Sequence, residues 1–273
     1  MTTRRSLVLI FLGGMLYGQA PQRIVSTAPS ITELLYSLGL GDRIVGVDRF
    51  SRYPPEALKK PRVGDYAAPN LEVIASLRPD LVMIPTNPVR LRQRLEALQL
   101  RVLELNQEGI PALYESIRIV GQATGATAQA ARLTQQIRGD LEAIRARAAR
   151  QSRTRVLFVA GGASYLNEII DIAGGENVFR DAKAAYPMVA LEEILARNPE
   201  VIVDMGEMGD TVGVTEAQKR AVQNLWTRMS SVAAVRNRRV HAVASDIFVV
   251  PGPRVVAAAS EFLTLLHPEA ASK

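Results

Sequence analysis

Residues 71–84 read LEVIASLRPDLVMI, and residues 191–204 read LEEILARNPEVIVD. At an offset of 120, Leu71 matches Leu191, Glu72 matches Glu192, Ile74 matches Ile194 and Pro79 matches Pro199. Each copy opens with a helical pattern, is broken near its proline, and continues as an apolar run of strand length. Tyr66 and Tyr186 extend the match, each six residues ahead of its glutamate. A helix–strand unit repeated at this distance predicts two similar lobes with a ligand between them.

Outward from the first copy, brief strands alternate with helices, the pattern of a parallel α/β lobe. Strands are expected at 24–26, 44–47, 81–84 and 101–105, with helices opening at Pro29 and covering 91–98 and 110–121. Ser30 and Glu33 have capping-box spacing, and Gly39 is a natural helix terminator. Residues 127–150 read as one long helix with Leu133, Ile137, Leu141 and Ile144 along a stripe. At 1.5 Å per residue it would span about 36 Å, a rigid connector between the repeated halves.

Beyond it, a strand is expected at 155–160 and a helix ending at Gly174-Gly175. The second copy follows, with strands at 200–204 and 240–244, a short helical segment at 225–230, and a terminal helix with Pro253 in its first turn. The expected fold is α/β: two similar Rossmann-like lobes joined by a long backbone helix, with the ligand cleft between them. The expected organisation is a signal peptide at 1–20, an N-terminal lobe at 21–126, the connecting helix at 127–151 and a C-terminal lobe at 152–273.

The first twenty residues read as a removable export signal. Arg4 and Arg5 supply the positive start, 7–16 the apolar stretch, and Gly18-Gln19-Ala20 the small residues before a cut at Pro21. The apolar run is shorter than the roughly 20 residues a membrane span needs. The arginine pair leaves the general secretory and twin-arginine routes open. The chain has no cysteine, which excludes a lipid anchor, a disulfide framework and thiolate chemistry. The formal charge of +6 is too small and dispersed to imply nucleic acid. Its densest basic run, Arg145, Arg147, Arg150, Arg153 and Arg155, reads as a solvated helix face. The expected location is the periplasm or another extracytoplasmic space.

Open parallel sheets bind ligands beyond the carboxyl ends of their strands. That places candidate loops at 26–30, 48–53, 66–70 and 85–88 in the first lobe, and at 161–166, 186–188, 206–209 and 246–252 in the second. Tyr53, Tyr66, Tyr165 and Tyr186 fall in or beside them, combining broad apolar faces with hydroxyls, which suits a large ligand with a polar periphery. Glu72 and Glu192 each start a helix, where a carboxylate interacts favourably with the exposed amides. Their duplication also makes them candidate acidic knobs, one per lobe, for paired basic sockets on a partner. Catalytic readings are weaker. His241 and His267 are the only histidines, and no GxSxG elbow, HExxH, EF-hand loop or phosphate-binding glycine motif is present. A hydrolytic enzyme is the low-ranked alternative, and iron coordination by one of the tyrosines stays open.

Four phrases in order, RIVSTAPSITELLYSLG at 23–39, NLEVIASLRPDLV at 70–82, AGGENVF at 173–179 and YPMVALEEILARNPEVIV at 186–203, resemble the helical-backbone substrate-binding proteins of bacterial ABC importers, especially their vitamin B12-binding branch. The resemblance spans almost all of the chain that follows the signal. It implies a non-enzymatic protein that carries a metal chelate, corrinoid, haem or siderophore to a membrane permease dimer, with ATP used by the partner. By resemblance, Glu72 and Glu192 are the lobe-surface acids that engage permease arginines. Tyr53, Tyr66 and Tyr186 resemble aromatic positions around a B12 cleft, and Asp246 and Phe248 part of the second-lobe rim. Pro85 and Val250 depart from that pattern, which carries an aromatic and a positive side chain there. The expected cargo is a cobalt corrinoid, with haem or a ferric siderophore as the alternative, and no intrinsic cofactor or metal is expected.

Overall fold

In a computed structural model the described residues are 20–65, 67–86, 90–158, 164–184, 187–206, 214–243 and 246–271, the side chains of Asp246 and Ala271 excepted. The export signal expected at 1–20, apart from Ala20, lies outside them, as do Tyr66 and Tyr186. The first lobe runs β1 (Ile24–Ser26), α1 (Pro29–Ser37), β2 (Ile44–Val47), α2 (Leu71–Ser76), β3 (Leu81–Pro85), α3 (Leu91–Glu96), β4 (Val102–Leu105) and α4 (Gly109–Thr124). The long helix α5 (Thr127–Ala148) follows. The second lobe runs β5 (Thr154–Leu157), α6 (Tyr165–Ile172), β6 (Gly175–Asn177), α7 (Leu191–Arg197), β7 (Val201–Asp204), α8 (Glu216–Thr227), α9 (Ala233–Arg236), β8 (Val240–Ala242), α10 (Asp246–Val249), α11 (Val255–Leu266) and α12 (Pro268–Ala271).

Each lobe holds a four-stranded parallel sheet, ordered β2-β1-β3-β4 in the first and β6-β5-β7-β8 in the second. Mapping β1 onto β5, β2 onto β6, β3 onto β7 and β4 onto β8 makes the two orders the same. The duplicated phrase is therefore the α2–β3 and α7–β7 unit of two equivalent lobes. The turn inside it repeats the same kinds of bond. Arg78 and Asn198 both end their helices in the left-handed region, at φ 47° and 43°. Asp80 then accepts the amides of Gln22 and Arg23 at 2.7 and 2.8 Å, while Glu200 accepts the amide of Arg155 at 2.9 Å. In return the Arg23 guanidinium donates to the Leu77 carbonyl and that of Arg155 to the equivalent Arg197 carbonyl. Each acid after the proline thus registers its helix–strand turn against the start of the neighbouring strand.

Side chains alternate across each strand, and the strands lie between two apolar layers. Ile24, Leu81 and Met83 face inward, as do Val156, Val201 and Val203. Val25, Val82 and Ile84 face an outer layer with Ile74, Leu91 and Leu95, and Leu157 and Ile202 face another with Phe179, Val222 and Trp226. The inner layers merge into one core through Ile137, Leu141 and Ile144 of α5, so a single apolar cluster crosses both lobes. α5 packs against α4, α6, α11 and α12. Leu133, expected on the same stripe, is half-buried against that core.

Several local expectations differ from the structure. Ser30 and Glu33 make no capping box: α1 opens at Pro29, as expected, so Ser30 already lies inside the helix, and Ala28 ahead of it gives no side-chain cap. The Ser30 hydroxyl accepts from Gln107 instead, and Glu33 pairs with Arg254. A capping box forms instead between Thr215 and Gln218, at the start of α8, which opens nine residues before the segment expected at 225–230. That helix buries only Val222 and Trp226, so its apolar periodicity is sparse. Pro253 precedes α11, whose cap is Arg254. β6 and α9 were not expected from sequence, at three and four residues being too short for a periodic signal.

A second duplication becomes visible only in the structure. Glu33, Leu34, Leu35 and Gly39 of the α1 segment stand 135 residues before Glu168, Ile169, Ile170 and Gly174 of the α6 segment. Both glycines take positive φ, 75° and 80°, where a side chain would be strained. Both glutamates reach into the opposite lobe. Glu33 accepts a forked pair of bonds from Arg254 at the start of α11, and Glu168 accepts from the Ile110 amide at the start of α4, at 3.3 Å.

Candidate functional site

The carboxyl ends of β1 and β2 carry a buried polar cluster. Ser26, Thr32, Asp48 and Ser51 are each no more than 1% exposed. Thr32 Oγ1 donates to Ser26 Oγ at 2.8 Å and lies 2.7 Å from Ser51 Oγ, which donates to Asp48 Oδ1. Asp48 Oδ2 accepts the Phe50 amide at 2.8 Å, and Arg62 Nη1 donates to the carbonyls of Asp48 and Ser51 at 2.9 and 2.8 Å. Buried polar groups that are all bonded rigidify the backbone that carries them. Here that backbone is the loop 48–53.

This loop presents Phe50 and Tyr53 at the rim, 45% and 47% exposed. Each ring has a guanidinium over one face. Arg49 stands 4.5 Å from the Phe50 centroid and pairs with Asp65 at 3.3 Å. Arg254 of the second lobe stands 4.3 Å from the Tyr53 centroid, with its Nη2 2.6 Å from Glu33 Oε1 and its Nε 3.0 Å from Glu33 Oε2. A ring covered on one face and exposed elsewhere is a preordered surface for a broad ligand.

The other sequence candidates divide sharply. Tyr165 opens α6 but is 7% exposed, and its phenol donates to the Phe248 carbonyl. The Phe248 ring is 1% exposed, packed 5.9 Å from Phe158 and 5.2 Å from Phe262. These two rings, expected to face a ligand, are interior groups that tie α6 to α10. Loop position alone misjudged them because α10 turns its apolar side inward. Asp246 begins α10, with its side chain outside the described residues. Tyr66 and Tyr186 lie outside them altogether. The structure adds Phe50, Asp48 and Arg254; Phe50 was available to the same reasoning that picked Tyr53, while Arg254 had no local signal. Among the described residues no cluster of three or more His, Cys, Asp or Glu side chains could hold a metal ion.

Burial pushes the Asp48 carboxyl above the usual carboxylate range, against the Ser51 hydroxyl, the Phe50 amide and Arg62. Burial raises Glu168 in the same direction. A carboxyl that holds its proton more tightly folded than unfolded gives stability that is lost as pH rises from about 4 through its folded pKa. Asp48→Asn is therefore expected to remove this contribution over that window, leaving those of Glu168 and of His241 and His267, which burial shifts downward. Urea midpoints of both proteins between pH 4 and 7 measure it; parallel curves would contradict the assignment.

Glu72 and Glu192 are both second in their helices and exposed. Asn70 caps α2 through the Val73 amide at 3.0 Å, whereas Ala190 gives α7 no side-chain cap. Neither glutamate has an ion-pair partner among the described residues, while the adjacent Glu193 is held by Arg197 at 2.9 Å. The two acids are thus equivalent in fold and one per lobe.

The sequence profile of the family described as Periplasmic binding protein matches residues 24–246. A vitamin B12-binding protein of Yersinia pseudotuberculosis is 31% identical over 268 residues, covering 94% of this chain and 91% of the relative. The crystal structure of the periplasmic vitamin B12 binding protein BtuF of Vibrio cholerae is similar with a TM-score of 0.77 at 27% identity, over 93% of this chain and 99% of that one. The periplasmic heme-binding protein RhuT from Roseiflexus sp. RS-1 is similar to the same degree, with a TM-score of 0.77 at 26% identity over 92% and 99%. With two parallel-sheet lobes joined by a long helix, the chain belongs to the periplasmic binding protein family, as a helical-backbone substrate-binding protein related to the vitamin B12-binding proteins.

Proposed function

We propose that this protein captures a corrinoid of the vitamin B12 type outside the cytoplasm and delivers it to the permease dimer of an ABC importer. Membership of the family supports the solute-binding role in such an importer, a role without catalysis. The observation that carries the corrinoid is the 31% identity to a vitamin B12-binding protein along almost the whole chain. Tyr53, with Phe50 beside it, would receive the flat or apolar part of the ligand, joined by Tyr66, Tyr186 and Asp246 from the rim. Tyr165 and Phe248 would hold the second-lobe rim in place from beneath. A cleft whose loops are already fixed binds without a large ordering cost. Glu72 and Glu192 would then set the docking register on permease arginines. The amino-terminal signal reading supports export.

Haem is the second reading, favoured by the equal structural similarity to a haem-binding relative, and a ferric siderophore is tested alongside it. Calorimetric titration of the mature chain separates them. Saturable one-to-one binding of cyanocobalamin at micromolar Kd or tighter, with weaker binding of haemin and a ferric siderophore, is expected. Tight binding of either comparison without cyanocobalamin would replace the cargo and keep the transport role.

A further inference from the structure

Through Arg254 the second lobe touches the candidate ligand surface of the first. It sits at the start of α11, yet its guanidinium lies between two first-lobe groups. Its edge is forked onto Glu33, which is 2% exposed, and its face covers Tyr53 at 4.3 Å. Only a planar cation can do both at once, because the fork uses the in-plane N–H groups and leaves the face for the ring. The backbone ahead of it is shaped for the approach. A side chain added at Gly252 would stand 3.3 Å from Glu33 Oε2 and 3.5 Å from Ser30 Cα.

We propose that Arg254 is a positioning residue of the ligand cleft: locked by Glu33, it holds the Tyr53 ring in its ligand-receiving orientation, and separation of the lobes withdraws it. The proposal rests on the reading of Tyr53 as a cleft residue. It makes the affinity of the first-lobe surface depend on the spacing of the lobes. A partner that pulls the lobes apart takes the support from behind Tyr53 and weakens the hold on the ligand, without touching the ligand itself.

The variant Glu33→Gln/Arg254→Gln removes fork and stack together and leaves no lone buried charge, so it is the one chosen to remain folded. In the ligand-free protein, hydrogen exchange of peptides spanning 49–57 is expected to rise several-fold, with β1 and β3 unchanged. Unchanged exchange at 49–57, or a uniform rise over the whole first lobe, overturns the proposal. With cyanocobalamin, or haemin if that is the ligand bound, the double variant is expected to lose about tenfold in affinity, the order a stacked cation supplies. Tyr53→Ala should lose at least as much, and combining all three changes should lose no more than Tyr53→Ala alone. Additive losses would show that Arg254 acts on the ligand independently of Tyr53 and overturn the proposal. Failure of the wild type to bind any of these probes would defeat the cargo reading instead, and the exchange measurement still decides the role of Arg254.

Discussion

Arg254→Ala is expected to lower the stability of the folded protein by about 3–5 kcal/mol, the cost of breaking a buried ion pair from one side. The size follows from which partner remains. Glu33 is 2% exposed, and its carboxylate would keep its burial while losing a bidentate cation at 2.6 and 3.0 Å. Surface pairs such as Arg118 with Glu115, both more than half exposed, carry no comparable penalty. For a chain of this size the loss corresponds to a melting temperature lower by roughly 6–20 °C. The sharper check is the comparison with Glu33→Met/Arg254→Met, which removes both charges and is expected to recover most of the loss. Thermal melts of the three proteins measure it, and a single variant within about 1 kcal/mol of wild type would mean that water reaches Glu33 freely.

Reversal of both lobe acids, Glu72→Lys with Glu192→Lys, is expected to abolish delivery while sparing capture. Each acid is exposed and second in a short helix, and neither belongs to the polar cluster that fixes the loop 48–53. Ligand affinity should therefore stay within about twofold, and stability should fall by no more than about 1 kcal/mol per site from lost helix-end electrostatics. At an interface, losing a bonded charge pair costs about 2–5 kcal/mol and like charges repel further. Two such changes predict at least about a 100-fold drop in uptake by vesicles carrying the importer. Uptake close to wild type would remove the docking role from these residues. An equal fall in affinity would show that cleft and docking surface are not separable.

The duplicated helix–strand phrase was readable because its information is local. Apolar spacing, a helix stop and a proline within fourteen residues specify one turn of structure wherever they occur. The flanking clamps were not readable, since Asp80 acts on Arg23 and Glu200 on Arg155, each across a distance the repeat does not span. Glu33 is the instructive failure. Its spacing from Ser30 fits a cap, but a proline at the helix start moved the cap position, and the carboxylate was available for a cation in the other lobe. Tyr165 and Phe248 failed for a related reason. A loop position predicts exposure only when nothing folds over it, and the α10 turn brings Phe248 down onto Phe262. Tyr53 was legible as an aromatic in a strand-end loop; the cation behind it was not.

The pairing of Glu33 with Arg254 joins residues 221 positions apart. A chain made from its amino terminus therefore carries that glutamate through most of its synthesis before the matching arginine exists. The helix that must bury it, α1, is also the one that seats Leu34 and Leu35 in the shared core, alongside α11 residues such as Phe262 from the far end. Closing contacts at such separations is slow. The first lobe therefore acquires its finished interior only when α11 arrives, and a chain interrupted before residue 254 is left with an acid facing its own core.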